Sequence, residues 1–521
     1  MRIFTKSILT LLICGVIAFQ ADAQQRRYLD PVFDDVEVSG LQYSGTNFTI
    51  LGWIFAAAGG QQGNTLRQPL AFQTYTPVGD TETDRPLIIY LHTGNFFPFP
   101  QNGSCGGTIA DSANVEICTR LAKMGYVVAS ADYRLGWLPT HPQELVRRFS
   151  LINGAYRGVQ DVNTYVRYFK RSVAEAGNVY GIDPEKIVVW GQGTGGYLSL
   201  ASAYLNEYNE ILTTSDPVKF MLPTAAGNVP MVIEQYNGNI DGTNDPTFVD
   251  ATYNAISQLP IGDTLSVPNH VDYSSEFHLA VNMGGALGDS TWVSEGEVPL
   301  VSFHSTTDAF APYNTDVLLV PTAEGPQPVV EVSGSYDVQR VVTRAGLNDI
   351  FNTIPEGHDP FGADRGEDFV GLMSFSNTPN ATSAPWEWTD LDNPQLIATD
   401  CNGDASIAKT YIDSIVGFYA PRGCVALDLN CDFVSATEDI QLDASYMTVA
   451  PNPAQDYITV SSTRADINEV TLYGMDGKVI ATRSNLNTRS VSLDRNGLPR
   501  GIYFVQAAFE EGVATQKVMF D

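Results

Sequence analysis

Positive charge is scarce in this chain of 521 residues, where 29 lysines and arginines face 59 aspartates and glutamates and leave a formal net charge of −30. A surface of that sign repels nucleic acid and anionic lipid, so neither is expected as a partner. Cysteine is rarer still, at six, and no Cys-x-x-Cys pair occurs, which argues against structural zinc and leaves no metal site to expect. After Phe19 no apolar run reaches the thickness of a bilayer, so no membrane-spanning helix is expected. The length itself is too great for one ordinary domain.

What is present begins at the N-terminus. Arg2 and Lys6 lead into the apolar run Ile8–Phe19 and then Ala21-Asp22-Ala23, the pattern of a secretory signal peptide over residues 1–23. Export permits disulfides, and Cys105, Cys118, Cys401, Cys424 and Cys431 lie beyond that cut. Cys105 and Cys118 would close a short loop, a bridge worth about 3 kcal/mol on the chain-entropy account, and form the expected pair. One of the other three then stays free or pairs between chains.

From Pro86 to Ala426 buried strand runs alternate with helix-length segments. The runs are "PLIIYLH", "YVVASADYRL", "KIVVWG", "FHLAVNMGGAL" and "PLVSFHST", each bounded by glycine, proline or charge. Asn153–Glu175 is long enough for a crossover helix, so the pattern is α/β with a mainly parallel central sheet. Asp216–Tyr273, rich in Asn, Asp, Gly, Thr and Pro, reads as loops over the C-terminal edge of that sheet, where a lid or substrate wall belongs. The last helix, "ASIAKTYIDSIVGFYAPRG", places Ile407, Tyr411, Ile415 and Phe418 on one stripe and should end at Pro421 and Gly423. Beyond a linker over residues 428–444, residues 445–521 show short alternating strands separated by Asn-Pro, Asp-Gly and Gly turns, the pattern of a small immunoglobulin-like β-sandwich.

The stretch "IVVWGQGTGGYLSL" has the shape of a strand turning sharply into a helix to lift a nucleophile. The usual turn is Gly-x-Ser-x-Gly; here Gly191, Gly195 and Gly196 stand in register, but the serine position is Gly193. The other parts of a nucleophilic site are in order along the chain. "LHTGNF" follows the first central strand and offers the N–H groups of Gly94 and Asn95 to an oxyanion, with Thr194 as a further donor. Asp308 closes "HSTTD" at a strand tip, where an orienting acid belongs, and His358 lies on the glycine-flanked loop "PEGHDPF" as the candidate base.

With "DYRL", "RGVQDV" and "NVYGIDPEKIVVWG", these segments make residues 24–427 resemble the α/β-hydrolase superfamily, near its carboxylesterase and hormone-sensitive-lipase-like branches. The resemblance implies hydrolysis of short-chain or aromatic esters with no cofactor. It has two departures: "HTGN" stands where an HGGG-type loop is usual, and Gly193 removes the side chain that would form an acyl-enzyme. "VAPNPAQDYITV", "LYGMDGKVI", "LPRGIYFVQ" and the closing run around Lys517 resemble the type A sorting domain of the type IX secretion system. That implies a Bacteroidota-type cell, the secretion machinery as partner, and a product released or held at the outer surface.

Three functions follow. An ester hydrolase could use Thr194, or water activated by His358 and Asp308, although Thr194 lies one residue past the apex and its branched carbon resists the strained turn. A non-catalytic relative could bind an ester or glycan-like ligand in the same pocket. The Asp308–His358 pair could instead act as a general base without a serine. Of the other histidines, His304 should pack in its strand, His92 should orient the oxyanion loop, and His141, His270 and His278 have no context that raises them. Asp400, Asn402 and Asp404, and again Asp428, Asn430 and Asp432, have calcium-like spacing but lack the glycine and glutamate of an EF-hand, so capping is expected of them.

Overall fold

The computed structural model describes residues 26–521, apart from 100, 225–226, 321–325, 362–368, 377, 379–381, 390–400, 432, 434–441, 443, 475–478, 485 and 510–511. The signal peptide and most of the linker expected from the sequence lie outside the described residues. Residues 24–431 and 432–521 form separate compact units.

The first unit is built on nine strands: β1 (Val36–Val38), β2 (Gln42–Thr49), β3 (Leu66–Pro77), β4 (Arg85–Leu91), β5 (Val127–Ala131), β6 (Ile182–Gln192), β7 (Leu279–Met283), β8 (Leu300–Ser305) and β9 (Leu372–Phe375). They lie in the order β1-β3-β5-β4-β6-β7-β8-β9, with β2 also on β3. From β5 to β9 every pairing is parallel, and β1, β2 and β5 each meet β3 antiparallel. The five apolar runs became β4 to β8 because residues buried on both faces suit a central parallel strand. Alternation divides them: Leu87, Ile89 and Leu91 enter one core, while Ile88 and Tyr90 enter the other. The first core lies under α2 (Glu144–Glu175) and α3 (Thr194–Tyr204), and the second under α1 (Ser112–Lys123) and α4 (Ala405–Ala426).

Two expectations need correction. Cys105 does not pair with Cys118; it is bonded to Cys401, Cα to Cα 6.3 Å, and Cys424 is bonded to Cys431. Cys118 is a free thiol, because it lies on the face of α1 that packs into the core beside Ile117 and Leu121. A short sequence separation said nothing about that orientation. The last helix also runs through Pro421 to Ala426. Its buried side is Ala408, Ile412, Ile415, Phe418 and Tyr419, and Ile407 is 40% exposed. Arg422, fully buried, donates to Phe418 O and Val370 O and so holds the turn that proline would weaken. Asp404 caps this helix by accepting from Ser406 N, as the capping expectation had it.

The second unit has two antiparallel sheets. One contains Thr448–Ala450, Tyr457–Ser461 and Ser490–Asp494; the other contains Val479–Arg483, Glu469–Tyr473, Gly501–Phe509 and Gly512–Phe520. Alternate residues of both, such as Ile458, Val460, Val470, Leu472 and Val505, share one core.

Candidate functional site

β6 ends in Gly191-Gln192-Gly193, and α3 begins at Thr194. Gly193 has φ 53° and ψ −116°, a conformation that L side chains adopt only under strain, and its N–H donates to Met283 O at 2.7 Å. The sharp turn has therefore formed without a serine. A Cβ added at Gly193 would stand 2.1 Å from Thr93 Oγ1 and 2.9 Å from Thr93 Cβ. The hydroxyl of Thr93 thus fills the space into which a side chain at 193 would project.

Thr93 leads the loop after β4. Asn95 and Phe96 both have positive φ there, at 54° and 51°. Asn95 N donates to Thr194 Oγ1 at 3.0 Å, and Trp137 Nε1 donates to Asn95 O at 2.6 Å. The backbone donor expected for an oxyanion is therefore engaged by the hydroxyl of Thr194, which also ties Thr194 to the loop. Gly94 lies behind this surface, where a Cβ would meet Gly107 Cα at 2.7 Å. His92 meets Asp132 through Nε2 at 3.1 Å and the Thr93 carbonyl through Nδ1, so it does brace the loop.

Above the turn is a cavity of about 160 Å³. Gly193, Thr93, Asn95, Thr194 and Asp308 line its floor. Its walls are apolar: Leu151, Ile152 and Val159 from α2, Phe220 and Val232 from the expected lid region, and Leu318, Val330 and Val332 from a hairpin. That hairpin, Asp316–Val320 with Gln327–Val332, follows β8 directly and was not anticipated as a wall. Asp308 sits at the tip of β8, with Oδ1 accepting from Phe310 N at 2.8 Å and Ala311 N at 2.9 Å. His304 is buried, bonded to Ser335 Oγ and Ala311 O, and burial lowers its pKa to about 4.

His358 is elsewhere. It precedes β9, on the segment leading to the N-terminal end of that strand, whereas Gly193 and Asp308 follow the C-terminal ends of theirs. Its N–H donates to Pro355 O at 3.1 Å, and the neighbouring Asp359 pairs with Arg422 of α4 at 2.7 Å. It is not among the cavity-lining residues. The structure brings Gly193, Thr194, Asn95 and Asp308 together and leaves His358 out.

The segment after β9 enters the cavity instead. It supplies Ser383, Trp386 and Glu387, and residues 372–400 contain no histidine. Glu387, 2% exposed, accepts from Gln192 Nε2 at 2.5 Å, and Gln192 Oε1 accepts from Tyr90 OH at 2.8 Å. Trp386 Nε1 and Tyr197 OH are buried and have no hydrogen-bond partner among the described residues. Burial, with the nearby Asp308 carboxylate, raises the Tyr197 hydroxyl far above its usual range, so it remains a donor. The tryptophan and glutamate of "APWEW" carried no motif, and only their order after the last strand could have pointed to them.

Comparison with known proteins bears on both units. Residues 72–322 match the BD-FAE family, and residues 448–521 match the secretion system C-terminal sorting domain. A stretch of 123 residues, 23% of the chain, is 30% identical to part of the non-reducing polyketide synthase atr1 of Stereocaulon alpinum, and spans 4% of that protein. Among solved structures, the propionate-bound esterase Est2 of Thermogutta terrifontis is 16% identical, covering 69% of this chain and 92% of the esterase with a TM-score of 0.34. The same esterase phosphonylated by cyclosarin is 19% identical over 47% of this chain and 69% of its own, with a TM-score of 0.26. The sorting domain marks the protein for type IX export to the cell surface or beyond. The chain carries a BD-FAE domain, an esterase-like α/β-hydrolase, followed by a secretion system C-terminal sorting domain.

Proposed function

We propose that this exported protein binds a small ester-like ligand in the cavity over Gly193 and does not hydrolyse it through an acyl-enzyme. The observation that carries this reading is the Thr93 hydroxyl, which occupies the space of the missing nucleophile. A lost serine alone would leave a gap above the turn. Here the gap is filled by a neighbour, and the segment after β9 offers tryptophan and glutamate where an imidazole would have to be.

The ligand class follows from the lining. Apolar walls suit an alkyl or aryl arm and disfavour a glycan, whose hydroxyls would lose water without gaining partners. Trp386 and Tyr197 line the cavity as well and add aromatic surface that suits the same arm. The carboxylate of Asp308 on the same floor disfavours an anionic acid. Hydrolysis by Thr194 is disfavoured because its hydroxyl accepts from Asn95 N.

The test uses the chain from residue 24 onward, with p-nitrophenyl butyrate for turnover and the unreactive N-phenylbutyramide for binding. Trp137, Trp292 and Trp386 line the cavity, so occupation should change tryptophan fluorescence. Saturable binding of the amide without turnover of the ester is expected, and Ile152→Trp, which fills the cavity, should abolish the binding. Ester turnover lost in Thr194→Val or His358→Ala would overturn the reading.

A further inference from the structure

Away from that cavity, α2 carries a second unexplained group. Arg157 is 8% exposed and makes one hydrogen bond, from Nη2 to Gly136 O at 2.7 Å. Its Nε is buried without a partner. Among the described residues no carboxylate lies within ion-pair distance: the nearby Asp161 is held by Arg134, through Nε at 2.8 Å and through the Arg134 N–H at 2.8 Å. Arg134 and Asp161 neutralise each other, so the cluster of three carries one uncompensated positive charge inside the protein. Burial and the Arg134 charge depress the Arg157 pKa to about 10, which leaves it protonated at every ordinary pH.

Against this guanidinium lies a cavity of about 20 Å³, lined by Arg157, Asn237, Tyr253 and Thr65 with Ile50 and Leu265. That is room for one occupant of atomic size. Water would satisfy a hydrogen bond but would leave the charge uncompensated.

We propose that this cavity is a binding site for a small monovalent anion of halide size, held by Arg157 with the hydroxyl of Tyr253 as a further donor. The charge, the unused guanidinium donors and the size of the cavity all select such an ion over a phosphate or a carboxylate, which would not fit. The site is separate from the cavity over Gly193 and does not depend on the function proposed for it.

The experiment has two arms on the chain from residue 24. In the first, thermal melts are compared in sodium chloride, bromide and gluconate at constant ionic strength. Raising chloride or bromide from 5 to 500 mM should raise Tm by about 1–3 °C over gluconate. Arg157→Met should lose that halide-specific difference. The second arm needs no variant: crystals grown in sodium bromide should show an anomalous peak beside the Arg157 guanidinium. No halide-specific shift in the wild type, an equal shift in Arg157→Met, or a water in place of bromide would each overturn the proposal.

Discussion

Gly193→Ser restores the expected motif on paper, and the geometry says it should fail for two separable reasons. The first is packing. A serine Cβ would stand 2.1 Å from Thr93 Oγ1, so Thr93 must be displaced in a loop already holding positive φ at Asn95 and Phe96. Overpacking of this kind costs about 1–3 kcal/mol. The backbone at φ 53° and ψ −116° adds strain for any L side chain, about 1–3 kcal/mol more. We therefore expect a loss of about 2–6 kcal/mol in urea melts. Adding Thr93→Gly removes the packing part, so the double variant should be about 1–3 kcal/mol more stable than the sum of the two single changes. The second reason is chemical. A serine without a base is a weak nucleophile, and loss of one triad member typically costs about 10⁴- to 10⁶-fold in turnover. Both variants should leave p-nitrophenyl butyrate hydrolysis at the level of the unaltered chain and should resist fluorophosphonate labelling. If Gly193→Ser alone melted like the wild type, or was labelled in a way that His358→Ala abolished, the reasoning on packing or on the base would be refuted.

Other expectations rest on different parts of the first unit. Thiol titration of the chain from residue 24 without reductant should find no reactive thiol when folded and one, Cys118, when unfolded. Cys401→Ser, which opens a link spanning 296 residues, should cost about 3–5 kcal/mol in the same melts. Glu297 is partly buried near Glu210, and its pKa rises to about 7. Its neutral form is the one the fold favours, so its contribution is present below the ordinary glutamate value of 4.5 and is lost as pH rises through 7. Glu297→Gln should therefore gain about 1–2 kcal/mol at pH 8, after discounting for solvent screening, and almost nothing at pH 4.5. His304 has the opposite sign: its folded pKa lies near 4, below its ordinary 6.5, so its contribution is present above pH 6.5 and fades as pH falls toward 4. His304→Gln should flatten the acid limb of stability against pH.

The central strands were legible because a parallel strand buried on both faces must be a continuous apolar run, and "PLIIYLH" or "KIVVWG" admits few other readings. The sharp turn at Gly193 was legible for a similar reason, since three further glycines in register mark a strand and helix packed too closely for side chains. β9 was missed: "LMSF" is four residues long and has no turn signal of its own. That omission carried His358 with it. In the sequence the histidine follows Asp308 by fifty residues, the right order for a base. It precedes the last strand in the structure, and order along a chain cannot tell which end of a sheet a loop reaches. The cysteine pairing failed on the same ground, because separation in sequence does not report which face of α1 carries Cys118.

The two departures from the hydrolase pattern look independent in the sequence and are one packing unit in space. Threonine in "HTGN" puts a methyl and a hydroxyl into a loop where glycine is usual, and glycine at 193 vacates the volume they enter. Either change alone would be costly, the first by collision with a serine side chain and the second by leaving an empty space over the turn. Together they keep the floor of the cavity close-packed with no side chain at position 193. The segment after β9 is tied down in the same manner: Cys401 anchors it to the loop of Cys105, and Glu387 is held through Gln192 to Tyr90 on β4. A site drifting out of use would be expected to lose such links and to fill with side chains. Here Thr93 fills the space beside Gly193 and the surroundings are fastened, while about 160 Å³ stays open, the arrangement that the proposed binding of a small ligand requires.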